Sequence, residues 1–152
     1  MRVIYWICLI VCLLSGSTNI SAREVTTFNN GWEFKKGPFS KETMQATRQW
    51  ESKWEKVQIP HTWNAKDMQI RTNAFYAGEA YYRKKYLFPE DMKGKRVFLR
   101  FEGVGSCSEV YVNGYLVGTH KGGYSAFVCE IGGQVKFGQE NEIILKSATY
   151  RV

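Results

Sequence analysis

The chain is poor in the side chains that most often hold metals or act as nucleophiles. Its 152 residues include only two histidines and four cysteines, and beyond residue 22 only Cys107 and Cys129 remain. These side chains show no zinc-site spacing, so we assign no metal and no other cofactor. Both cysteines lie in strand-like runs, where a free buried thiol is the usual state. A single disulfide between them is the alternative that an oxidising compartment permits.

Long runs of one charge are also absent, although the formal net charge is +7. The basic residues are scattered, and their densest groups are short: Lys35-Lys36, Arg83 to Lys85 and Lys93 to Arg96. Nucleic-acid binding needs a basic patch or stripe, so the sequence disfavours a nucleic acid as the partner.

The longest apolar run lies at the N-terminus, where Val3 to Leu14 follows Arg2. This run is too short to span a bilayer as a stable helix. A positive residue, an apolar run and a small residue such as Ala22 before a cleavage point are typical of a secretory signal peptide. We therefore predict a signal peptide over residues 1–22 and export to the periplasm or the medium, with no membrane association after cleavage. A retained membrane anchor is the alternative.

Aromatic residues are abundant, at 15% of the chain. Aromatic side chains pack well on pleated surfaces, so this content favours a β-rich fold. Flat rings also suit a carbohydrate-binding surface, although rings that fill a core are the commoner case.

The remainder of the chain has the pattern of short strands. Residues 95–104 alternate, with Val97, Leu99 and Phe101 on one face. Residues 109–118 form two short runs joined by Asn-Gly, the dipeptide that suits a type I′ hairpin turn. Further strand-like runs cover 80–88, 125–131 and 141–146, and a loop or short helix is expected over 40–54. Closely spaced short strands predict an all-β sandwich or barrel.

The segment 113–127, NGYLVGTHKGGYSAF, is interpreted as a strand-turn-strand corner. Gly118, Gly122 and Gly123 are expected to supply backbone freedom there. His120 is expected to be a hydrogen-bonded structural histidine. Tyr124 and Phe127 are expected to be core or corner residues.

Several ordered segments carry a resemblance to a known family. They are NNGWEF (29–34), WEKVQIPHTWN (54–64), YAGEAYYRKKY (76–86), RVFLRFEGVGSCSE (96–109) and VYVNGYLVGTHKGGYSAF (110–127). Together they closely resemble the N-terminal sugar-binding domain of glycoside hydrolase family 2, with the nearest likeness to β-galactosidases of Bacteroides-type bacteria. The family also includes β-glucuronidases and β-mannosidases.

The resemblance implies a jelly-roll β-sandwich of the galactose-binding-domain-like type over residues 23–152, with about eight to nine strands. In whole enzymes of this family, an immunoglobulin-like sandwich and a TIM barrel follow. The barrel carries two catalytic glutamates of a retaining mechanism, whose carboxyl groups lie about 5–5.5 Å apart. We assign no catalytic residue within this chain. After ENEIILK the chain departs from the family pattern and reads SATYRV, so it resembles a truncated or frameshifted copy, or a gene fragment, that can lack the last strand of the jelly roll.

The loops of this domain reach the mouth of the barrel in the enzymes that the chain resembles. Amide and carboxylate groups can hydrogen-bond sugar hydroxyls, and aromatic rings can stack on sugar C–H faces. The structural alternative for the first two candidates is that they fix the strand end after Pro60 to the core. The predicted carbohydrate-binding residues are His61, Trp63, Asn64, Asp67, Asn73 and Tyr76.

Three functions remain open at this point. The chain can be the sugar-binding domain of an exported β-galactosidase-like enzyme, with β-galactosides or related oligosaccharides as partners and no hydrolysis by this part alone. It can be a stand-alone carbohydrate-binding module. It can also be a remnant without function.

Overall fold

A computed structural model describes residues 23–38, 53–63 and 77–149 of the chain. These residues form eight strands and one short 3-10 turn at Glu90–Met92, so the all-β prediction is confirmed. Within them, no helix is long and apolar enough to cross a membrane. The strands are β1 (Trp32–Lys36), β2 (Glu55–Val57), β3 (Glu79–Leu87), β4 (Phe98–Phe101), β5 (Cys107–Val112), β6 (Tyr115–Lys121), β7 (Phe127–Glu130) and β8 (Glu140–Ala148).

The strands form two antiparallel sheets. The larger has six strands in the order β2-β1-β3-β8-β5-β6, and the smaller consists of β4 and β7. The two longest strands, β3 and β8, pair over their whole length at the centre of the larger sheet, from Glu79 opposite Ala148 to Leu87 opposite Glu140. Every pairing is antiparallel, as expected for a sheet with only one face on the main core.

The main core lies between the two sheets. Alternation places Val97 and Leu99 inward from the smaller sheet, whereas Phe98 between them is 45% exposed. This confirms the predicted faces of the 95–104 run. From the larger sheet, alternate residues of β1, β5 and β8 complete the core: Trp32, Val110, Val112, Ile143 and Leu145.

The opposite face of the larger sheet carries a second, smaller cluster. Tyr81, Tyr111 and Ile144 are buried there and pack against Trp54. The Arg83 guanidinium lies 4.3 Å from the centroid of the Trp54 ring and pairs with Glu33 at 2.9 Å. Trp54 is not helical. Of the segment expected as a loop or short helix, residues 40–52 lie outside the described part of the chain.

The Asn-Gly hairpin is confirmed between β5 and β6. Asn113 and Gly114 both have positive φ, at 52° and 83°, as a type I′ turn requires. Gly122 has a positive φ, at 125°, which agrees with the backbone freedom expected at this corner. The prediction is wrong for Gly118, which lies inside a strand and not at a corner, and it stays a prediction for Gly123. Gly118 lies inside β6, and a Cβ there would overlap the Sγ of Cys129.

The two cysteines are free thiols, as the strand pattern predicted. Cys107 begins β5 in the larger sheet and is half-buried, whereas Cys129 lies buried in β7 of the smaller sheet. Burial raises the pKa of the Cys129 thiol. The predicted signal peptide and its cleavage point lie outside the described residues.

Candidate functional site

A cavity of about 540 Å³ lies between the larger sheet and one end of β4. Its floor is the inner face of β1, β3 and β8, with Trp32, Tyr82 and Leu145. One wall is the segment 59–63, which follows β2, and the other is the segment 100–105 at the end of β4. A volume of this size is within the usual range for small-molecule sites, about 300–1,000 Å³.

His61 is held in the wall of this cavity by three contacts. Its Nδ1 lies 3.1 Å from the Tyr82 hydroxyl oxygen. Its ring packs 4.6 Å from the ring of Phe34, centroid to centroid, and 5.8 Å from that of Tyr82. Burial lowers the pKa of His61 below 6.5, and Lys36 lowers it further, while Glu55 partly opposes these effects. The ring is therefore neutral at pH 7.

The Tyr82 hydroxyl determines which ring nitrogen of His61 is hydrogen-bonded within the domain. Burial raises the pKa of Tyr82 to about 12, so the phenol stays protonated at neutral pH. In either tautomer of His61, Nδ1 forms a hydrogen bond with the Tyr82 hydroxyl. The second ring nitrogen, Nε2, takes no part in that bond. Within the described part of the chain, the bond to Tyr82 is the only hydrogen bond of the His61 ring.

Thr149 contributes a second polar group for which the described residues supply no partner. It lies directly after β8, where its backbone N–H donates to the Gly78 carbonyl at 2.9 Å. Its hydroxyl oxygen is buried and has no hydrogen-bond partner among the described residues. Thr149 and Ser147 both line the cavity. A buried hydroxyl without a partner costs free energy, so such groups at a cavity wall are candidates for ligand contact.

The charges on the cavity wall cancel each other. Arg100 binds Glu102 through two hydrogen bonds, from Nε to Oε1 at 2.7 Å and from Nη2 to Oε2 at 3.2 Å. This pair lowers the pKa of Glu102 and raises that of Arg100, so both remain charged. With a neutral His61, the described lining carries no uncompensated charge.

Two of the predicted carbohydrate-binding residues lie at this cavity. His61 and Trp63 both line it, and the Trp63 ring lies 6.4 Å from that of Phe34. Contact of either residue with a sugar stays a prediction. The other four predictions, Asn64, Asp67, Asn73 and Tyr76, lie outside the described residues and stay predictions.

The sequence did not indicate Tyr82, Thr149 or the Arg100–Glu102 pair as site residues. Tyr82 belongs to a strand with two adjacent tyrosines, and only the sheet register shows which one faces the cavity. Tyr82 pairs with Phe34 and Leu145 on the inner face, whereas Tyr81 is part of the cluster on the opposite face. The one sequence signal for such a site residue is a polar residue at the end of a strand, as at Thr149.

His120 lies apart from this cavity, at the corner that the sequence predicted. Its Nε2 lies 3.1 Å from the Ser125 hydroxyl oxygen, and its ring stacks on Phe127 at 4.4 Å. The expectation of a hydrogen-bonded structural histidine is confirmed. Phe127 packs against the core, whereas Tyr124 is fully exposed and is a corner residue only.

No three His, Cys, Asp or Glu side chains of the described ranges are grouped closely enough to hold a metal ion.

Comparison with known proteins assigns the chain to a family. Residues 25–150 match the family described as glycosyl hydrolases family 2, sugar binding domain. A solved structure of a Bacteroides fragilis protein assigned as a β-galactosidase is 64% identical, with a TM-score of 0.74 over 84% of this chain and 19% of that one.

Two curated relatives agree with this match. A β-glucuronidase of Bacteroides fragilis is 37% identical over 82% of this chain and 16% of its own length. A β-galactosidase of Thermoanaerobacter pseudethanolicus is 38% identical over 62% of this chain and 13% of its own length. The chain thus spans about a sixth of the length of the first relative.

Proposed function

Because the chain belongs to family 2 of the glycosyl hydrolases, as its N-terminal sugar-binding domain, we propose that it serves a longer, exported β-glycosidase. In this role it binds carbohydrate and supports a catalytic barrel, and it hydrolyses no glycosidic bond by itself. The observation that carries the proposal is the family match, which runs over residues 25–150 and therefore includes the whole cavity wall at 59–63.

The finer architecture follows from the same membership. The two antiparallel sheets around one core are consistent with the jelly-roll, galactose-binding-like arrangement that the sequence motifs predict. In the longer enzyme, the partners of this domain are an immunoglobulin-like sandwich and a TIM barrel. The chemistry belongs to two glutamates of that barrel, one as acid and base and the other as nucleophile.

The substrate class of the longer enzyme is a β-galactoside or a β-glucuronide. Relatives of both names match this chain, at 38% and 37% identity. Loops that rim the pocket, including Asn64, Asp67, Asn73 and Tyr76, are proposed to contact the sugar there. Residues 1–22 are proposed to direct the protein out of the cytoplasm as a signal peptide.

Turnover assays on the purified chain test the non-catalytic role. p-Nitrophenyl β-galactoside and β-glucuronide should be hydrolysed no faster by the chain than by buffer, because the two catalytic carboxyl groups are assigned elsewhere. Chain purified from a host that lacks both activities removes the contribution of contaminating enzymes. Turnover that co-purifies with the chain and disappears in a His61→Gln variant would overturn the proposal.

A second candidate, a stand-alone carbohydrate-binding module, is favoured by one observation. The described lining of the cavity is mostly apolar and aromatic, and two of its hydrogen-bonding groups, His61 Nε2 and the Thr149 hydroxyl, have no partner among the described residues. Binding by the chain itself distinguishes this role from a purely supporting one.

A further inference from the structure

We propose that the cavity between the sheets is itself a binding site for a neutral, hydroxylated ring the size of a monosaccharide. The inference deepens the proposed function and rests on it, because it names a sugar subsite that lies within this domain. The proposed site uses only described residues, and none of the predicted loop residues 64–76 is assigned to it. Its ligand is held by His61 and Thr149 and enclosed by aromatic side chains.

The first argument is the unused hydrogen-bonding capacity at the cavity wall. Tyr82 takes up Nδ1 of His61 and leaves Nε2 as the nitrogen available to a ligand. The Thr149 hydroxyl is buried without a partner in the described part of the chain. A sugar hydroxyl both donates and accepts, so it can satisfy Nε2 in either tautomer and the threonine oxygen as well.

The second argument is the shape and chemistry of the remaining walls. The partly exposed rings of Trp63 and Tyr82 line the cavity, and the buried Trp32 contributes to its floor. Sugar rings combine polar edges with C–H faces, and this combination matches a mostly aromatic site with a few convergent polar groups. The volume of about 540 Å³ leaves room for one such ring.

The third argument concerns charge. Arg100 is already bound bidentately to Glu102, and His61 is neutral at pH 7, so the described part of the lining leaves no cation to neutralise a bound carboxylate. Transfer of a carboxylate from water into such a site is unfavourable. The cavity should therefore prefer a neutral hexose to a uronic acid, whichever substrate the barrel accepts.

The two histidines of the chain provide the test. In proton NMR spectra of the full chain, methyl β-D-galactoside is added and the imidazole C–H signals are followed. The signals of His61 should shift and saturate with a Kd of about 1–10 mM, because few polar contacts are available. The signals of His120 should stay in place, since its ring is bound to Ser125 and Phe127 outside the cavity. The variants His61→Gln and His120→Gln assign the signals.

Matched threonine variants locate the ligand more closely. Thr149→Val should weaken binding by about 3- to 10-fold through the loss of one hydrogen bond. It should fold at least as well as the parent, because the hydroxyl it removes has no partner in the described ranges. Thr119→Val on exposed β6 should leave the Kd unchanged within about twofold. Methyl β-D-glucuronide should bind at least about tenfold more weakly than the galactoside.

Three results would overturn the inference. The first is that the His61 signals do not shift at galactoside concentrations up to about 100 mM. The second is that Thr149→Val and Thr119→Val weaken galactoside binding equally. The third is that the glucuronide binds more tightly than the galactoside. A chain that neither binds nor hydrolyses sugar would refute this site and leave the role in a longer enzyme standing. A chain that binds through His61 and also hydrolyses the galactoside would refute the proposed function instead.

Discussion

The Nδ2 of Asn113 donates a hydrogen bond to the Oδ1 of Asn141 at 2.8 Å and so joins the β5–β6 hairpin to the start of β8. Asn141 is 1% exposed, and its amide also binds the backbone of Lys136 and Gln139. Asn113 in turn donates to the Gln134 carbonyl. The turn that the sequence marks by Asn-Gly is thus fixed by side-chain hydrogen bonds as well as by its backbone angles.

Substitution of Asn141 by leucine should destabilise the fold strongly. The change removes four hydrogen bonds of a buried side chain, including those to the backbone of Lys136 and Gln139. We expect the free energy of unfolding to fall by about 2–4 kcal/mol. Urea denaturation of Asn141→Leu measures the loss, with Thr119→Ala on exposed β6 as the control. A loss below about 0.5 kcal/mol, the usual range of surface changes, would contradict this account of the network.

Alanine at Gly118 should be poorly tolerated for a reason other than backbone strain. The new Cβ would overlap Cys129 Sγ, and both strands would have to shift. We expect Gly118→Ala to lower the free energy of unfolding by about 1–3 kcal/mol, the usual cost of overpacking. Gly133→Ala is the matched control, because a Cβ there meets no atom within 4 Å.

A double-substitution cycle separates the clash from other effects. Cys129→Ala should lower the free energy of unfolding clearly less in the Gly118→Ala background than in the natural sequence, because it removes the overlapping sulfur. Additive losses in this cycle would show that contact with Cys129 is not the reason for glycine at this position.

The stability of the fold should depend on the protonation of His61. The unfolded chain takes up this proton at a pKa near 6.5, whereas burial lowers the pKa of His61 in the folded state. Between those two values the unfolded state binds more protons, so the free energy of unfolding should fall as the pH falls through this window. Below the folded-state pKa the contribution of His61 should level off.

Urea denaturation at several pH values from about 8 to about 5.5 measures this dependence. The slope of the free energy of unfolding against pH should be smaller in the His61→Gln variant than in the parent. The His120→Gln variant should keep the slope of the parent. Equal slopes in the parent and in His61→Gln would contradict the assignment.

The two thiols should differ in reactivity. Cys107 is half-buried, whereas Cys129 is buried and has a raised pKa, so less of it is present as the reactive thiolate. Iodoacetamide treatment of the native protein should therefore modify Cys107 first, and Cys129 only after unfolding, as read by peptide mass spectrometry. A peptide pair linked through Cys107 and Cys129 would contradict the description of both as free thiols.

Much of the fold could be predicted from local pattern, because alternation and turn chemistry are properties of neighbouring residues. The strand over 98–101 and the turn at Asn113-Gly114 are examples. Gly118 was misinterpreted, since its role depends on Cys129 in another sheet.

The candidate site was predictable only in part. His61 and Trp63 belong to a recognisable motif, and both line the cavity. Tyr82 reaches the same cavity through its pairing with Phe34 and Leu145, which are distant in sequence. Such register is fixed by the whole sheet, and one-residue shifts would exchange Tyr81 for Tyr82. No local signal could have made that choice.

The central claim, that this chain is the sugar-binding domain of a longer β-glycosidase, is tested most directly by exchange of domains. Residues 25–150 replace the matching region of the Bacteroides fragilis protein that is 64% identical. A copy with its own region reinserted at the same junctions is the control. The chimera should keep kcat/KM for p-nitrophenyl β-galactoside within about tenfold of that control. A folded chimera without turnover, beside an active control, would contradict the claim.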